Sequence, residues 1–285
     1  MKILFRLSSY LILILSFQAC DIIEDPVVPF SEGYRDDLYG AAPIFGLPQT
    51  EGKNVLIEDF TANQCGNCPP AAEIAESLME ANPDRVFPIG IHVGSLAVPS
   101  GEYEADWRCA EGEELYAQIG FLAYPLGRIN RFGGNANFLG SKEWGAKVLE
   151  ELNTATPLEL QVHTSWFANA GHLNIHVNGQ FVDGCLGTMN LSVLLLESGL
   201  IGDQLYYGND PEHIEEYEFN HLLRGSVSGS NGLPVLTDAV AGDSFQSDFT
   251  INWEEEWVIE NSSLIAIVSD ENGYVINCLG IHLPE

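Results

Sequence analysis

The chain has 285 residues, with 41 Asp and Glu against 11 Lys and Arg and a formal net charge of −30. A surface this acidic repels nucleic acid and anionic membrane surfaces, which argues against both as partners, and it keeps an exported protein soluble. The length exceeds that of one typical domain.

At the N-terminus, Lys2 and Arg6 precede an apolar stretch from Leu7 to Phe17, followed by Gln18-Ala19-Cys20. The stretch is too short for a comfortable membrane span and reads as a signal peptide over residues 1–19. Cys20 is then the acylated (palmitate-bearing) first residue of a mature lipoprotein. Phe17 stands where such boxes more often carry Leu, and an ordinary signal cleaved nearby is the competing reading. No later segment has the uninterrupted apolar length of a transmembrane helix, so the expected membrane link is the N-terminal lipid alone. Residues 20–50, with Pro26, Pro29, Gly33 and many acids, suit an acidic tether.

From 51 to 156 the pattern alternates. Val55–Phe60 predicts a strand, Pro69–Ala81 a helix, Val86–Gly94 a strand, Trp107–Ile119 a helix, Leu126–Asn130 a strand and Ser141–Leu152 a helix. This is an α/β layer around a central sheet. At the first strand-to-helix junction stands Cys65-Gly66-Asn67-Cys68-Pro69. Two thiols so spaced at a helix start form the arrangement of a thioredoxin-like redox centre, because helix N-terminal N–H groups stabilise a thiolate. Cys65 is the expected nucleophile and Cys68 the resolving thiol. Electron exchange of this kind needs a reachable sulfur. A structural disulfide that staples the helix start is the alternative, and an exported compartment favours any disulfide. A zinc site is disfavoured by the lack of a second close cysteine pair or a nearby His, and no cofactor or metal is expected.

Beyond Pro157 the period becomes two. Leu158, Leu160 and Val162 alternate with polar residues, as do Leu173, Ile175 and Val177, and Phe249, Ile251 and Trp253. Leu191–Leu196 reads as a strand buried on both faces, and Asn272-Gly273 marks a hairpin between Leu264–Ser269 and Tyr274–Leu283. Residues 157–285 are therefore expected to form an all-β, sandwich-like domain after the α/β one. The remaining cysteines, Cys109, Cys185 and Cys278, are odd in number; Cys185 and Cys278 suit either a bridge or buried thiols.

The chain resembles thioredoxin-like proteins in Asp59-Phe60 ahead of the cysteine pair and in Tyr124-Pro125-Leu126 at the place of a cis-proline. The wider set of Leu56–Ala62, Cys65–Pro69, Tyr124-Pro125, Arg128-Ile129-Asn130-Arg131 and His221-Leu222-Leu223-Arg224-Gly225 is similar to the twenty-eight-kilodalton outer-membrane lipoprotein family of Gram-negative bacteria. The resemblance runs from about Asn54 to the C-terminus. It implies a thioredoxin-like domain followed by a β-rich one, an outer-membrane location on the periplasmic or surface face, and an adhesin or receptor role. Gln64, Asn67 and Leu126 depart from thioredoxin where its activity is tuned.

The candidate site thus comprises Cys65, Cys68, Pro125 and Asp59, with Asp59 taking the proton of Cys68 if buried. Strand alternation places either Asp59 or Glu58 inward, and Asp59 is favoured. Arg128 and Arg131 suit a thiolate, an acidic ligand or local ion pairs. His92 ends a strand near the site but reads as a satisfied structural residue, and His172 and His176 as solvent-facing. Two functional classes remain open: thiol–disulfide exchange on a protein or peptide disulfide, or a surface adhesin or ligand-binding lipoprotein with an inert cystine. In the second, Tyr206-Tyr207, Trp253 and Trp257 are aromatics available to a ligand, with core packing the expected use of at least the tryptophans.

Overall fold

The structure is a computed structural model, and it describes residues 31, 33–48, 52–120, 123–134, 137–229 and 232–283. Cys20 and the expected signal peptide lie outside the described residues. After a short helix, α1 (Asp36–Tyr39), the order is β1 (Val55–Thr61), α2 (Pro69–Ala81), β2 (Val86–His92), α3 (Ala110–Ile119), β3 (Leu126–Ile129) and α4 (Ser141–Leu152). The alternation is the predicted one. Helix α3 begins at Ala110 rather than Trp107 because Cys109 is its N-cap, with Sγ accepting from the Gly112 N–H at 3.4 Å. Burial pushes the Cys109 thiol up to about 12, so it serves as a cap and not as a nucleophile.

The remainder is β4 (Leu158–Phe167), β5 (His172–Phe181), β6 (Cys185–Glu197), β7 (Leu200–Leu205), β8 (His213–Phe219), β9 (Leu222–Ser226), β10 (Leu233–Ala239), β11 (Ser244–Asn252), β12 (Ser262–Ser269) and β13 (Val275–His282). The chain is β-rich. Strands β13-β12-β6-β9-β2-β1-β3 bond side by side in that order, and β10 pairs with the remaining part of β6. One sheet therefore draws strands from both sides of residue 157. Its join is narrow: the only ladder pair between β2 and β9 is Gly90 with Leu222, and the Gly90 N–H donates to the His221 carbonyl at 2.9 Å. Strands β11-β5-β4 form a second sheet, and β7-β8 a hairpin of their own.

The dual use of β6 explains the shared sheet. Leu191, Val193 and Leu195 face the second sheet, packing with Leu173, Ile175 and Val177. Leu194 and Leu196 face the other way, into a core with Leu56, Phe60, Ile89, Ile91 and Leu115. A strand buried on both faces reads as a continuous apolar run. A third cluster seats α2 and α4 on β1 through Ala71, Ala75, Trp144 and Val148 against Val55 and Ile57. Strand β1 is consequently covered on both faces.

Two expectations, the free tether and a solvent-facing His176, need correction here, and of the two readings of Cys185 and Cys278 the bridge is the one not formed. The described part of the supposed tether lies along the second sheet: Ser31 bridges to Ile251, and Tyr34 meets His176 edge-on. Tyr39 hydrogen-bonds His172, and Phe45 meets the His163 ring. His176, expected in solvent, is buried under this cover and bonded to Asp248 at 2.7 Å. Cys185 and Cys278 are free thiols in different cores, so no bridge joins them.

A covered cystine and a negative cavity beside it

Strand β1 ends at Thr61 and the chain turns through Asn63 and Gln64 into Cys65, whose N–H donates to the Ala62 carbonyl at 3.1 Å. Cys68 is the residue preceding α2, and its carbonyl accepts from the Ala71 and Ala72 N–H groups. Pro69 fits the first helical position, where an N–H has no intrahelical partner. Cys65 and Cys68 are joined as a disulfide. Tyr124 packs against them with Ala62 and Ala97, and its hydroxyl donates to the Val93 carbonyl at 2.9 Å. The Tyr124–Pro125 peptide is cis, as expected. The pairing of Phe60 with Leu126 brings Pro125 to the end of β1 that leads into the cysteines.

The sulfurs are not open to solvent. Cys65 is 4% and Cys68 2% exposed, against the requirement of a reachable sulfur. The β7-β8 hairpin closes over them. Leu205 N–H donates to the Asn63 carbonyl at 2.9 Å, Tyr207 N–H to the Gly66 carbonyl at 2.8 Å, and Gln204 Nε2 to the Cys65 carbonyl at 3.2 Å. The Tyr207 ring lies so close to Gly66 that a Cβ there would sit 2.5 Å from its Cγ. Only glycine permits that approach. Tyr206 donates to Glu73 of α2 at 2.9 Å. The tyrosine pair fastens the hairpin, and Trp253 and Trp257 pack against the core of the β-rich half, the use expected of them.

Both Glu58 and Asp59 are buried, at 0% and 4% exposure, so the expectation that only one points inward is corrected. Alternation still sends them to opposite faces, but β1 is covered on each. Glu58 binds Arg128 at 2.8 Å and Arg131 at 2.9 Å. Burial alone would raise its pKa, and the two guanidiniums outweigh that and hold it below its usual range. The arginines are thus committed to a carboxylate of the fold, not to a thiolate.

Asp59 has no such help. Its Oδ1 has no hydrogen-bond partner among the described residues, and burial pushes its pKa up to about 8. It lines a cavity of about 360 Å³ together with Cys68 and His92. His92 is buried, its Nδ1 is likewise without a partner among the described residues, and burial drives its pKa down to about 3. It is therefore a neutral imidazole at the site and not the satisfied structural residue expected. His221 closes the cavity from the other side, with Nε2 3.1 Å from Glu76 and a left-handed backbone at φ 54°. The structure therefore brings Cys65, Cys68 and Asp59 together, with Pro125 at the same end of the sheet, and adds His92, His221 and the hairpin. Of these, His92 is placed near the site by its strand end in the sequence alone, while the hairpin's approach has a local signal only in Gly66, on which Tyr207 packs.

HBP35 of Porphyromonas gingivalis is similar over 81% of this chain and 76% of its own, at 18% identity and a TM-score of 0.64, a likeness of fold. A domain of the outer membrane lipoprotein Omp28 from the same organism matches 45% of this chain and 88% of its own at 20% identity, with a TM-score of 0.30. Protein AGR_C_4864 from Agrobacterium tumefaciens matches 83% of this chain and 97% of its own at 12% identity, with a TM-score of 0.49. No curated protein matches the chain. A family model described as Outer membrane protein Omp28 matches residues 112–281, which excludes the cysteine pair but includes the hairpin, both sheets of the β-rich half and the Arg128–Arg131 segment. The chain belongs to the Omp28 outer membrane protein family.

Proposed function

We propose that this protein is a lipid-anchored outer-membrane lipoprotein, held by Cys20, whose thioredoxin-like site exchanges disulfides with a protein or peptide partner. The observation that carries the reading is Asp59: a buried, unpartnered carboxyl with a pKa near 8, sharing a cavity with Cys68. Such a group costs stability and has no use in a plain staple, whereas shifted pKa values cluster at working sites. In the dithiol form, the Cys65 thiolate attacks a partner disulfide, forming a mixed disulfide and releasing one partner thiolate. Ionised Asp59 takes the Cys68 proton, and the Cys68 thiolate then attacks Cys65 Sγ, closing Cys65–Cys68 and releasing the second partner thiolate. Two electrons pass from the dithiol to the partner. The hairpin must lift for this to occur.

The covered sulfurs favour a second reading, in which the cystine is a staple and the protein is an adhesin or ligand-binding lipoprotein. Equilibration against thiol buffers separates the two. A potential between roughly −270 and −120 mV supports exchange, and one below about −300 mV supports the staple. Exchange also predicts that Cys68→Ser accumulates mixed disulfides through Cys65 while Cys65→Ser accumulates none. The anchor is tested apart: Cys20→Ser should lose the acyl mass and its partition into membranes.

A further inference from the structure

We infer that the cavity bounded by α2, β2, β8 and the His221 turn binds a small organic cation, an ammonium or guanidinium carried on a short apolar stem. Its volume of about 360 Å³ falls within the range of small-ligand pockets. Asp59, Glu73, Glu76, Glu80 and Glu218 line it, and no Lys or Arg does. Ala72, Ile89 and Phe219 supply apolar wall for a stem. Clustered carboxylates alone would be only a solvated rim. The floor is what differs: Asp59 Oδ1 and His92 Nδ1, on side chains that are almost fully buried, lack partners among the described residues and belong to the cavity lining.

Buried polar atoms in native proteins are nearly always satisfied, so two orphans in one cavity point to a missing donor. An ammonium or guanidinium brings several donors and no acceptor, matching a carboxylate and a neutral imidazole nitrogen. Glu73 and Glu76 are already bonded to Tyr206 and His221, so the rim attracts the cation and the floor holds it. Among the described residues no three His, Cys, Asp or Glu side chains are grouped so as to hold a metal ion, which suits a larger organic group. The cation comes either from a free amine or from a Lys or Arg side chain of a partner polypeptide.

A cation at the floor also ionises Asp59. The titratable side chains that share the cavity with this carboxyl, the disulfide-bonded Cys68 aside, are Glu73, Glu76 and Glu80 of α2, His92 of β2, Tyr217 and Glu218 of β8 and His221, and none is a fixed positive charge. Binding near neutral pH should therefore release about one proton per cation.

The test is calorimetric titration of the intact protein with its disulfide closed and no thiol present, so the result does not depend on exchange. Probes are cadaverine, agmatine and a short blocked peptide with one central Lys, beside the same peptide with norleucine. Saturable one-to-one binding of an amine or of the Lys peptide is expected, with proton release seen by comparing buffers of different ionisation enthalpy. Asp59→Asn should weaken binding about tenfold or more and abolish the release. Preference for the free amines or for the Lys peptide identifies the source. No binding at millimolar probe, equal binding of the norleucine peptide, or binding to the wild type without proton release would overturn the inference, leaving water to satisfy the floor. None of these three readouts needs a variant to fold.

Discussion

Asp59 and His92 oppose one another in their effect on stability, and the sum is measurable. Asp59 is raised from its ordinary 3.8 to about 8, so its contribution is complete below 3.8 and is lost as pH climbs to about 8. His92 is lowered from 6.5 to about 3, so its contribution is present above 6.5 and is lost as pH falls towards 3. Between about 4 and 6.5 the two slopes cancel, and from 6.5 to 8 only the Asp59 decline remains, at about 1.4 kcal/mol per pH unit. Asp59→Asn should abolish that decline and raise the melting temperature near pH 8; an unchanged pH profile by thermal denaturation would refute the assignment. Glu58 is the contrasting residue. Glu58→Gln leaves Arg128 and Arg131 buried without their shared anion, and a loss of about 3–5 kcal/mol in urea unfolding is expected. Neighbouring acids on one strand thus do opposite work, one bonded and one poised.

At the scale of elements, the β7-β8 hairpin decides whether the cystine is chemically available. Its hold on the turn rests on backbone bonds to Asn63 and Gly66 and on the close stacking of Tyr207 over Gly66. Adding a methyl group at Gly66 forces the ring away. Gly66→Ala and Tyr207→Ala should both speed reduction of Cys65–Cys68 by dithiothreitol several-fold, followed by alkylation and mass spectrometry. Equal rates in wild type and variants would mean that the hairpin is no barrier. Local opening of an element with few buried apolar anchors is the ordinary route to such access, and β8 is exposed along much of its length. Helix α3 shows the complementary case, where a cysteine of no redox use is retained as an N-cap.

On the scale of the whole molecule, the shared sheet ties the α/β half to the β-rich half. Leu194, Leu196, Ile265 and Ile267 cover Leu56, Ile89 and Ile91. Asn54 binds the backbone of Cys278 and the side chain of Asn277, at 2.8 and 2.9 Å. Lys53 and Lys147 enclose Glu151 at 2.9 and 3.0 Å. Residues 52–156 expressed alone should fail to fold cooperatively, since that apolar face would be left in water. Leu194→Ala and Leu195→Ala, on opposite faces of β6, should each cost about 2–5 kcal/mol. Each should also shift the same single unfolding transition, whether followed by near-ultraviolet dichroism or by cystine accessibility.

Local pattern carried much of this protein. The bounds of α2 and α4, the two-sided burial of Leu191–Leu196, the hairpin at Asn272-Gly273 and the joined Cys65–Cys68 pair were legible because each depends on periodicity, turn chemistry or neighbouring residues, whereas the cis Tyr124–Pro125 bond was implied by the family resemblance alone. What lay beyond reach depends on contacts between residues far apart in the chain. The partner of Glu58 is 70 residues away at Arg128, and Gln204 reaches Cys65 across 139. Alternation along β1 identifies opposite faces but not whether either is covered, so the burial of both acids had to come from tertiary packing, Glu58 against Arg128 and Arg131 and Asp59 on the face that carries α2. The sequence by itself determined a disulfide at the start of a helix in a β-rich, strongly acidic chain. Only the tertiary structure decided that this disulfide lies beneath a hairpin and beside a cavity with unsatisfied polar atoms, because burial and hydrogen-bond satisfaction are properties of the assembled fold.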